Sequence, residues 1–319
     1  MPAKQKSIVQ LAADYAVYLF VRLLICLVQS LSLETCGRLS KSLGWFCWRA
    51  VNLRRKVTYQ NLAIAFPEKT QAERDEIALG MWQHLLLMIM EIAHAPRKVK
   101  RTTWRQFSSI PNMKETLIRQ IDARPMVVIS GHLGNFEMGG YLLALHGFPT
   151  HTVARPLDNV FLDRFVNDFR GRTGQYMLPK KGSGDEITKV LKSGGTLALL
   201  GDQHAARGAC WVDFFGKPAS THKAVSVFTL GSDAPTAVSA ALRRDGRPLV
   251  IDMQVADIVD PLDEDFPYGS IPRLTEWYTR HLEALIRTHP EQYWWVHKRW
   301  KGEPTTRRAQ REAKRRHAA

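Results

Sequence analysis

The sequence predicts an α/β fold: a mixed, largely parallel sheet flanked by helices, preceded by an N-terminal membrane-anchoring helix. Three observations predict it. Short apolar strand patterns alternate with helical ones from residue 126 onward, and strands alternating with helices favour a parallel sheet with helices on its faces. Residues 7–33 form an apolar stretch interrupted only by Asp14, Arg22 and a few small polar residues. The chain of 319 residues carries 45% hydrophobic and 24% charged residues, close to globular averages, which excludes wholesale disorder.

Taken in order, residues 7–33 would extend about 40 Å as a helix at ~1.5 Å per residue, enough to cross a bilayer. Asp14 and Arg22 interrupt that stretch, and residues 23–33 are too few to cross alone. The pattern therefore fits a tilted transmembrane anchor or an interfacial helix, with an ordinary buried helix as the bland alternative. A signal peptide fits poorly, because no small-residue cleavage site follows cleanly. The mean hydropathy of −0.23 excludes a polytopic membrane protein. Lys4 and Lys6 precede the apolar stretch, while Arg38, Lys41, Arg49, Arg54, Arg55 and Lys56 follow it. The heavier cluster lies after the anchor, which places the main body on the cytosolic side.

Residues 54–97 are helical in pattern, punctuated by Pro67. Met126–Ser130 (MVVIS) reads as a buried strand, followed by a Gly-containing turn and a helix over Phe136–Leu145. Thr150–Ala154 is the next strand, with a helix over residues 160–170, and Thr196–Leu200 is a third strand. Strands over 234–242 and 248–255 are joined through a turn at Asp245 and Gly246. Leu274, Trp277, Tyr278, His281, Leu282 and Leu285 mark one face of a final amphipathic helix. The expected organisation is an anchor over residues 1–35, a catalytic domain over 36–302 and a basic tail over 303–319.

The 45 Lys+Arg against 30 Asp+Glu leave a formal charge of +15, which implies an anionic partner. Arg307, Arg308, Arg311, Lys314, Arg315 and Arg316 make the tail a candidate for anionic headgroups. No zinc finger, RNA-binding aromatic signature or comparable module supports nucleic acid as the partner. The four cysteines (Cys26, Cys36, Cys47 and Cys210) have neither disulfide-framework nor metal-ligand spacing, so no metal is expected.

The sharpest feature is Ser130-Gly131-His132-Leu133-Gly134-Asn135-Phe136-Glu137. His132 follows an apolar strand, and Glu137 lies in the first turn of the next helix, with Asn135 as its candidate cap. A loop relaxed by glycines can fold the imidazole over that turn, so that Glu137 accepts from one ring nitrogen and leaves the other as a base. No Ser or Cys in a nucleophile-elbow setting accompanies the pair. A His–acid pair without its own nucleophile suits direct attack by a substrate hydroxyl on an activated acyl group. The bland alternative is an idle loop histidine beside a Glu that merely favours a helix N-terminus.

The HxxxxE placement after a strand resembles the HxxxxD/E signature of glycerolipid-type acyltransferases, with Glu137 standing where the wider superfamily often has Asp. More narrowly, the chain resembles the bacterial lipid A biosynthesis late (lauroyl/myristoyl) acyltransferases. Further blocks carry the resemblance: Asn61-Leu62 with Phe66-Pro67; Arg155-Pro156, Asn159, Arg170 and Gly174; Asp202-Gln203, Phe214-Phe215-Gly216 and Thr221. It continues through Pro290-Glu291-Gln292-Tyr293-Trp294-Trp295 and His297-Lys298-Arg299-Trp300-Lys301, so it spans residues 54 to 301.

The resemblance implies a glycerolipid-acyltransferase-like fold and transfer of a fatty acyl chain from acyl carrier protein to a hydroxyl of a phosphorylated glucosamine lipid, without cofactor. It implies His132 as general base and Glu137 as its partner. Asn135, Arg155, Asn159, Arg170, Asp202 and Gln203 are the substrate-binding candidates, the two arginines for acceptor phosphate or oxyanion. The expected setting is the cytoplasmic face of the bacterial inner membrane, where anionic lipids and the acidic carrier both favour a basic enzyme. The competing readings are the same chemistry on a lysophospholipid, aminolipid or mannosylated glycolipid, a non-enzymatic basic membrane adaptor, and a hydrolase.

Overall fold

A computed structural model describes residues 6–111, 124–179, 182–206 and 208–303. The basic tail and Lys4 lie outside the described residues.

Helix α1 (Ile8–Ser30) begins at Ser7, whose side chain accepts from the backbone of Gln10 while Gln10 reaches back in a capping box. None of its residues is buried. It is long and apolar enough to cross a membrane by length and composition. Its polar residues find partners: Arg22, though exposed, donates to Tyr18 one turn away at 3.0 Å, and the others reach the rest of the protein. Asp14 pairs with Lys6, the Asp14 carbonyl accepts from Asn159 Nδ2 at 2.8 Å, and Arg22 lies 5.1 Å from the Phe165 ring. Gln29 donates to the Ala93 carbonyl at 2.6 Å. Apolar side chains such as Phe20, Leu23 and Leu27 point away and stay exposed. The helix stops at Leu31, and Ser32 caps α2 (Leu33–Phe46).

Helix α2 buries Cys36, Ser40 and Gly44, one residue per turn, against α4. A π-helical turn, Cys47–Val51, leads to α3 (Arg55–Ala65). The helical stretch expected over 54–97 divides at Phe66 and Pro67, and α4 (Gln71–Lys98) starts afresh at a Thr70–Glu73 capping box. Helix α4 also passes the length test for a membrane span, but 61% of its apolar window is buried. It is a core helix.

The sheet carries β1 (Ser108–Ser109), β2 (Met126–Ser130), β3 (Thr150–Ala154), β4 (Gln175–Pro179), β5 (Thr196–Leu200), β8 (Thr236–Arg243) and β9 (Ile251–Val259). Their spatial order is β1-β9-β8-β2-β5-β3-β4, with only the β8–β9 pairing antiparallel. The expected mixed, largely parallel sheet is thus present. β6 (Cys210–Phe214) and β7 (Lys217–Thr221) form a separate antiparallel hairpin. Helices α5 (Phe136–Leu145), α6 (Val160–Gly171), α7 (Gly184–Lys192), α8 (Ala224–Gly231) and α9 (Ile271–Thr288) complete the fold. The predicted face of α9 is the buried one, with Leu274, Trp277, Tyr278, Leu282 and Leu285 inside.

Strands β2 and β5 pair in parallel with Ser130 opposite Leu200. Both end at the same edge, so the residues that follow them emerge side by side. Carboxyl ends of parallel strands are where α/β folds assemble sites.

Candidate active site

Two short sequences leave the central strands in the same way: Ser130-Gly131-His132 and Leu200-Gly201-Asp202. The ladder continues one step past the strands, with Gly201 N–H donating to the Ser130 carbonyl at 2.8 Å. His132 and Asp202 each lie two residues past a paired position, and the register therefore brings them together. Asp202 Oδ1 meets His132 Nδ1 at 2.8 Å, and Asp202 Oδ2 accepts from the His132 backbone N–H at 2.9 Å. The carboxylate thus holds both the ring and the backbone of the same residue.

This corrects the expectation that Glu137 would accept from the imidazole. Glu137 sits in the first turn of α5, but its carboxylate is taken by Arg170 in the last turn of α6. Nε donates at 3.0 Å and Nη2 at 2.8 and 2.9 Å. The physical reason is that Asp202 comes from the adjacent strand at ladder spacing and fixes the Nδ1 edge, while a guanidinium offers Glu137 bidentate geometry. Glu137 still influences His132 through its charge.

Burial opposes a charge on His132, but the charge and hydrogen bond of Asp202, with help from Glu137, outweigh it and raise the imidazole pKa above its ordinary value. Burial likewise works against the Asp202 charge. The imidazole it holds wins, and the carboxyl stays below its usual range. An ionised Asp202 accepts from Nδ1–H, so the lone pair of the neutral ring lies on Nε2.

The loop that carries His132 is stitched in from both sides. Gly134 N–H donates to the Gln292 carbonyl at 3.0 Å, Asn135 N–H to Ala241 at 2.7 Å, and Trp294 N–H to the His132 carbonyl at 3.0 Å. Gly134 has φ of +63° and passes so close to β8 that an added Cβ would stand 2.0 Å from the Ala241 oxygen. Only glycine fits there.

Beneath the loop lies a buried polar network. Arg243 donates to both Glu91 oxygens at 2.6 and 2.8 Å and to His84 Nδ1 at 2.7 Å. His84 then presents its Nε2–H to the Gly134 carbonyl at 3.1 Å. Burial and the neighbouring guanidinium push the His84 pKa down to about 3, which keeps it neutral in this role.

The other candidates separate by position. Arg155, Arg170 and Gln203 line the cleft with His132 and Glu137. Gln203 Nε2 lies 3.2 Å from His132 Nε2 and 3.4 Å from His297 Nε2. Arg155 is exposed and pairs with Asp158 at 3.1 Å. Asp202, expected to contact substrate, is instead sealed behind the imidazole with no side-chain exposure. Asn135 is the expected cap of α5 but does not line the cleft. It is fully buried, caps α5 by accepting from Met138 N–H at 3.1 Å, and donates to Glu91 at 2.9 Å. Asn159 caps α6 and ties it to α1, outside the cleft lining.

Sequence reasoning missed how the C-terminal aromatic block packs on the base. The rings of Phe136, His297 and Trp294 lie 4.8, 4.9 and 5.3 Å from the His132 ring. Within that block Tyr293 and Trp295 are buried, whereas Trp294 is half-buried beside the base. The only signal for this was the density of aromatic and basic residues from Tyr293 to Lys301. The buried Glu91–Arg243–His84 network gave no signal, because Arg243 lies 152 and 159 positions from its two partners on α4.

The cleft has a volume of about 600 Å³. Its more exposed lining carries His132, Glu137, Arg155, Arg170 and Gln203; the rest is mostly apolar, with Val128, Leu143, Ile187, Ala198, Val225 and Phe228, interrupted by the buried Gln175, Ser183 and Ser239. Fold and site together define an α/β protein in which a carboxylate-steered histidine, at the carboxyl edge of a parallel sheet, opens onto a slot fit for a hydrocarbon chain.

Comparison with known proteins specifies the family. The bacterial lipid A biosynthesis acyltransferase family matches residues 3–302, and the chain belongs to it. It is 25% identical over 285 residues to the lipid A biosynthesis lauroyltransferase of Escherichia coli K12, covering 87% of this chain and 89% of that protein. It is 24% identical to the palmitoleoyltransferase of the same organism, over 79% of this chain and 80% of the relative. For the E. coli myristoyltransferase the identity is 24%, over 80% and 77%. The protein is an acyltransferase.

Proposed function

We propose that the protein is a late acyltransferase that moves a fatty acyl chain from the thioester of acyl carrier protein to a hydroxyl of a phosphorylated lipid A precursor, at the cytoplasmic face of the inner membrane. The observation that carries this reading is the placement of His132 Nε2 at the mouth of an apolar cleft while Asp202 holds Nδ1. The fatty chain occupies the slot and brings its thioester carbon to the mouth. His132 Nε2 takes the proton of the acceptor hydroxyl as its oxygen attacks that carbon. The tetrahedral intermediate collapses with cleavage of the carbon–sulfur bond, and the imidazolium returns the proton to the departing thiolate. The products are an O-acyl ester and the free thiol of the carrier.

Asp202 fixes the productive tautomer and stabilises the transient imidazolium. Gln203, whose amide nitrogen approaches the same Nε2, yields that position to the hydroxyl and can donate to the oxyanion. Glu137 acts by holding Arg170 at the mouth, where the guanidinium meets developing negative charge, and by its own field on His132. Arg155 is placed for acceptor contacts. The exposed apolar face of α1 and the basic residues after it supply attachment to an anionic leaflet.

The test is an incubation of the detergent-solubilised protein with an acyl-carrier thioester and a tetra-acylated, phosphorylated glucosamine disaccharide, followed by mass spectrometry. A lipid heavier by one acyl group supports the assignment. Free fatty acid as the only product with every acceptor refutes transfer in favour of hydrolysis.

A further inference from the structure

A second cavity of about 640 Å³ is lined in part by Trp294 and His297, whose rings pack on the His132 ring. Its floor is apolar, from Leu53, Leu85, Leu86, Met88 and Ile89, and its rim carries Arg54, Lys298 and Lys301. No carboxylate lines it. Among the described residues, none of the three cations has an ion-pair partner within 4.0 Å.

Three observations mark this groove as built for a ligand. Ile89 is 59% exposed on a helix whose neighbouring residues Leu87, Met88 and Met90 are buried, an apolar expense that packing within the chain does not explain. Trp82 lines the groove and is 9% exposed, yet its indole N–H has no hydrogen-bond partner. Arg54, on the rim, adopts left-handed backbone with φ of +55°, a conformation that bulky side chains avoid and that recurs at ligand sites. Asn61 fixes the opposite wall by donating to the carbonyls of Trp295 and His297 at 2.7 and 2.6 Å.

We infer that this groove binds the acceptor: a phosphate on the Arg54–Lys298–Lys301 rim, and one of the acceptor's existing acyl chains along the floor. The inference rests on the acyl-transfer reading above and adds where the acceptor sits. A phosphate-bearing arm of the carrier would also suit the cations, but it is a polar chain with no use for a floor of leucines, and the donor's fatty chain already has the inner slot. An acceptor lipid supplies both features at once. The groove also communicates with the base, since Gln203 Nε2 touches both His297 and His132.

The test uses the full-length protein in detergent micelles and measures equilibrium binding of a radiolabelled bis-phosphorylated, tetra-acylated glucosamine disaccharide and of the same lipid after dephosphorylation. The unmodified protein binds the phosphorylated form at least tenfold tighter. Replacing the exposed rim by Arg54→Gln, Lys298→Gln and Lys301→Gln removes that preference, and Ile89→Asp weakens both lipids. In steady-state transfer the rim substitutions raise the acceptor KM and leave the carrier-thioester KM in place. Unchanged lipid preference in the rim variant overturns the inference, as does a rise confined to the thioester KM, which assigns the rim to the carrier. Lipid binding that follows this pattern without any acyl transfer preserves the groove and overturns the proposed reaction. Transfer with a rim-insensitive acceptor does the reverse.

Discussion

Asp202→Asn is the most informative single change, because the carboxylate serves two donors that an amide cannot serve together. In the structure Oδ1 meets Nδ1 of His132 at 2.8 Å and Oδ2 accepts the His132 backbone N–H at 2.9 Å. Asparagine has one acceptor and one donor group. If its oxygen stays on the backbone, its NH2 faces Nδ1 and drives the ring proton to Nε2, where no base remains. If its oxygen turns to the ring, a buried backbone N–H faces an NH2 and loses its acceptor, at a cost of about 1–3 kcal/mol. The first arrangement removes most of the general-base contribution, roughly 10²- to 10⁴-fold in kcat, or about 2.7–5.4 kcal/mol at ~1.36 kcal/mol per decade, and the second keeps the base only by leaving that backbone N–H unpaired.

The pH profile separates Asp202 from Glu137. The base must be neutral, so activity falls as pH drops through the His132 pKa. Asp202 raises that pKa, which places the acid limb above the ordinary value of about 6.5. With the carboxylate gone, burial is left to act in the opposite direction and the limb moves to lower pH. Glu137→Gln removes a weaker influence and no hydrogen bond to the ring, so its limb moves less. The assay is kcat/KM for transfer from the carrier thioester across pH 5–9 for the unmodified protein and both variants. If Glu137→Gln moves the limb as far as Asp202→Asn or farther, the assignment of Asp202 as the orienting acid is refuted.

Other predictions follow from the same geometry. His132→Ala abolishes acyl transfer to within background while circular dichroism and membrane attachment stay unchanged; residual transfer within tenfold of the original rate contradicts the base assignment. Gly134→Ala forces a Cβ against the Ala241 carbonyl at a positive φ and destabilises the fold by roughly 2–4 kcal/mol, measured as a lower thermal midpoint. Glu91→Ala strands the buried Arg243 guanidinium and costs about 3–5 kcal/mol; a thermal midpoint equal to that of the unmodified protein speaks against the network as the support of the loop. Deletion of residues 1–33 moves the protein from the membrane to the soluble fraction in flotation assays, and unchanged flotation contradicts α1 as an attachment element.

Much of the fold was legible because its signals are local. The strands Met126–Ser130, Thr150–Ala154 and Thr196–Leu200 and the helix Phe136–Leu145 occupy the expected residues, since apolar runs bounded by glycine and a capping asparagine are written into adjacent positions. The strand Gln175–Pro179 and the hairpin of β6 and β7 were not anticipated. Gln175–Pro179 lies at the sheet edge, where mixed polarity is tolerated, and the hairpin turn places Phe215 at a φ of +53° beside Gly216 at +69°, so only one of its two central residues carries a turn signal.

At the site, the sequence alone singled out His132, and the spacing to Glu137 suggested which acid steers it. That spacing measures distance along the chain, and a helical first turn aims its carboxylate by the helix axis, here toward Arg170. Which acid meets the imidazole was decided by strand order. β5 lies beside β2 in parallel register, so two residues seventy positions apart leave the sheet as neighbours. Likewise the sequence determined that residues 8–30 form an apolar helix, whereas only packing against α6 and α4 decided that the Asp14 carbonyl meets Asn159, Arg22 lies beside Phe165 and Gln29 donates to Ala93. Local patterns specify elements because they act through neighbours a few bonds away. Partners across a sheet or between helices are chosen by burial summed over the whole chain, and no single segment records that sum.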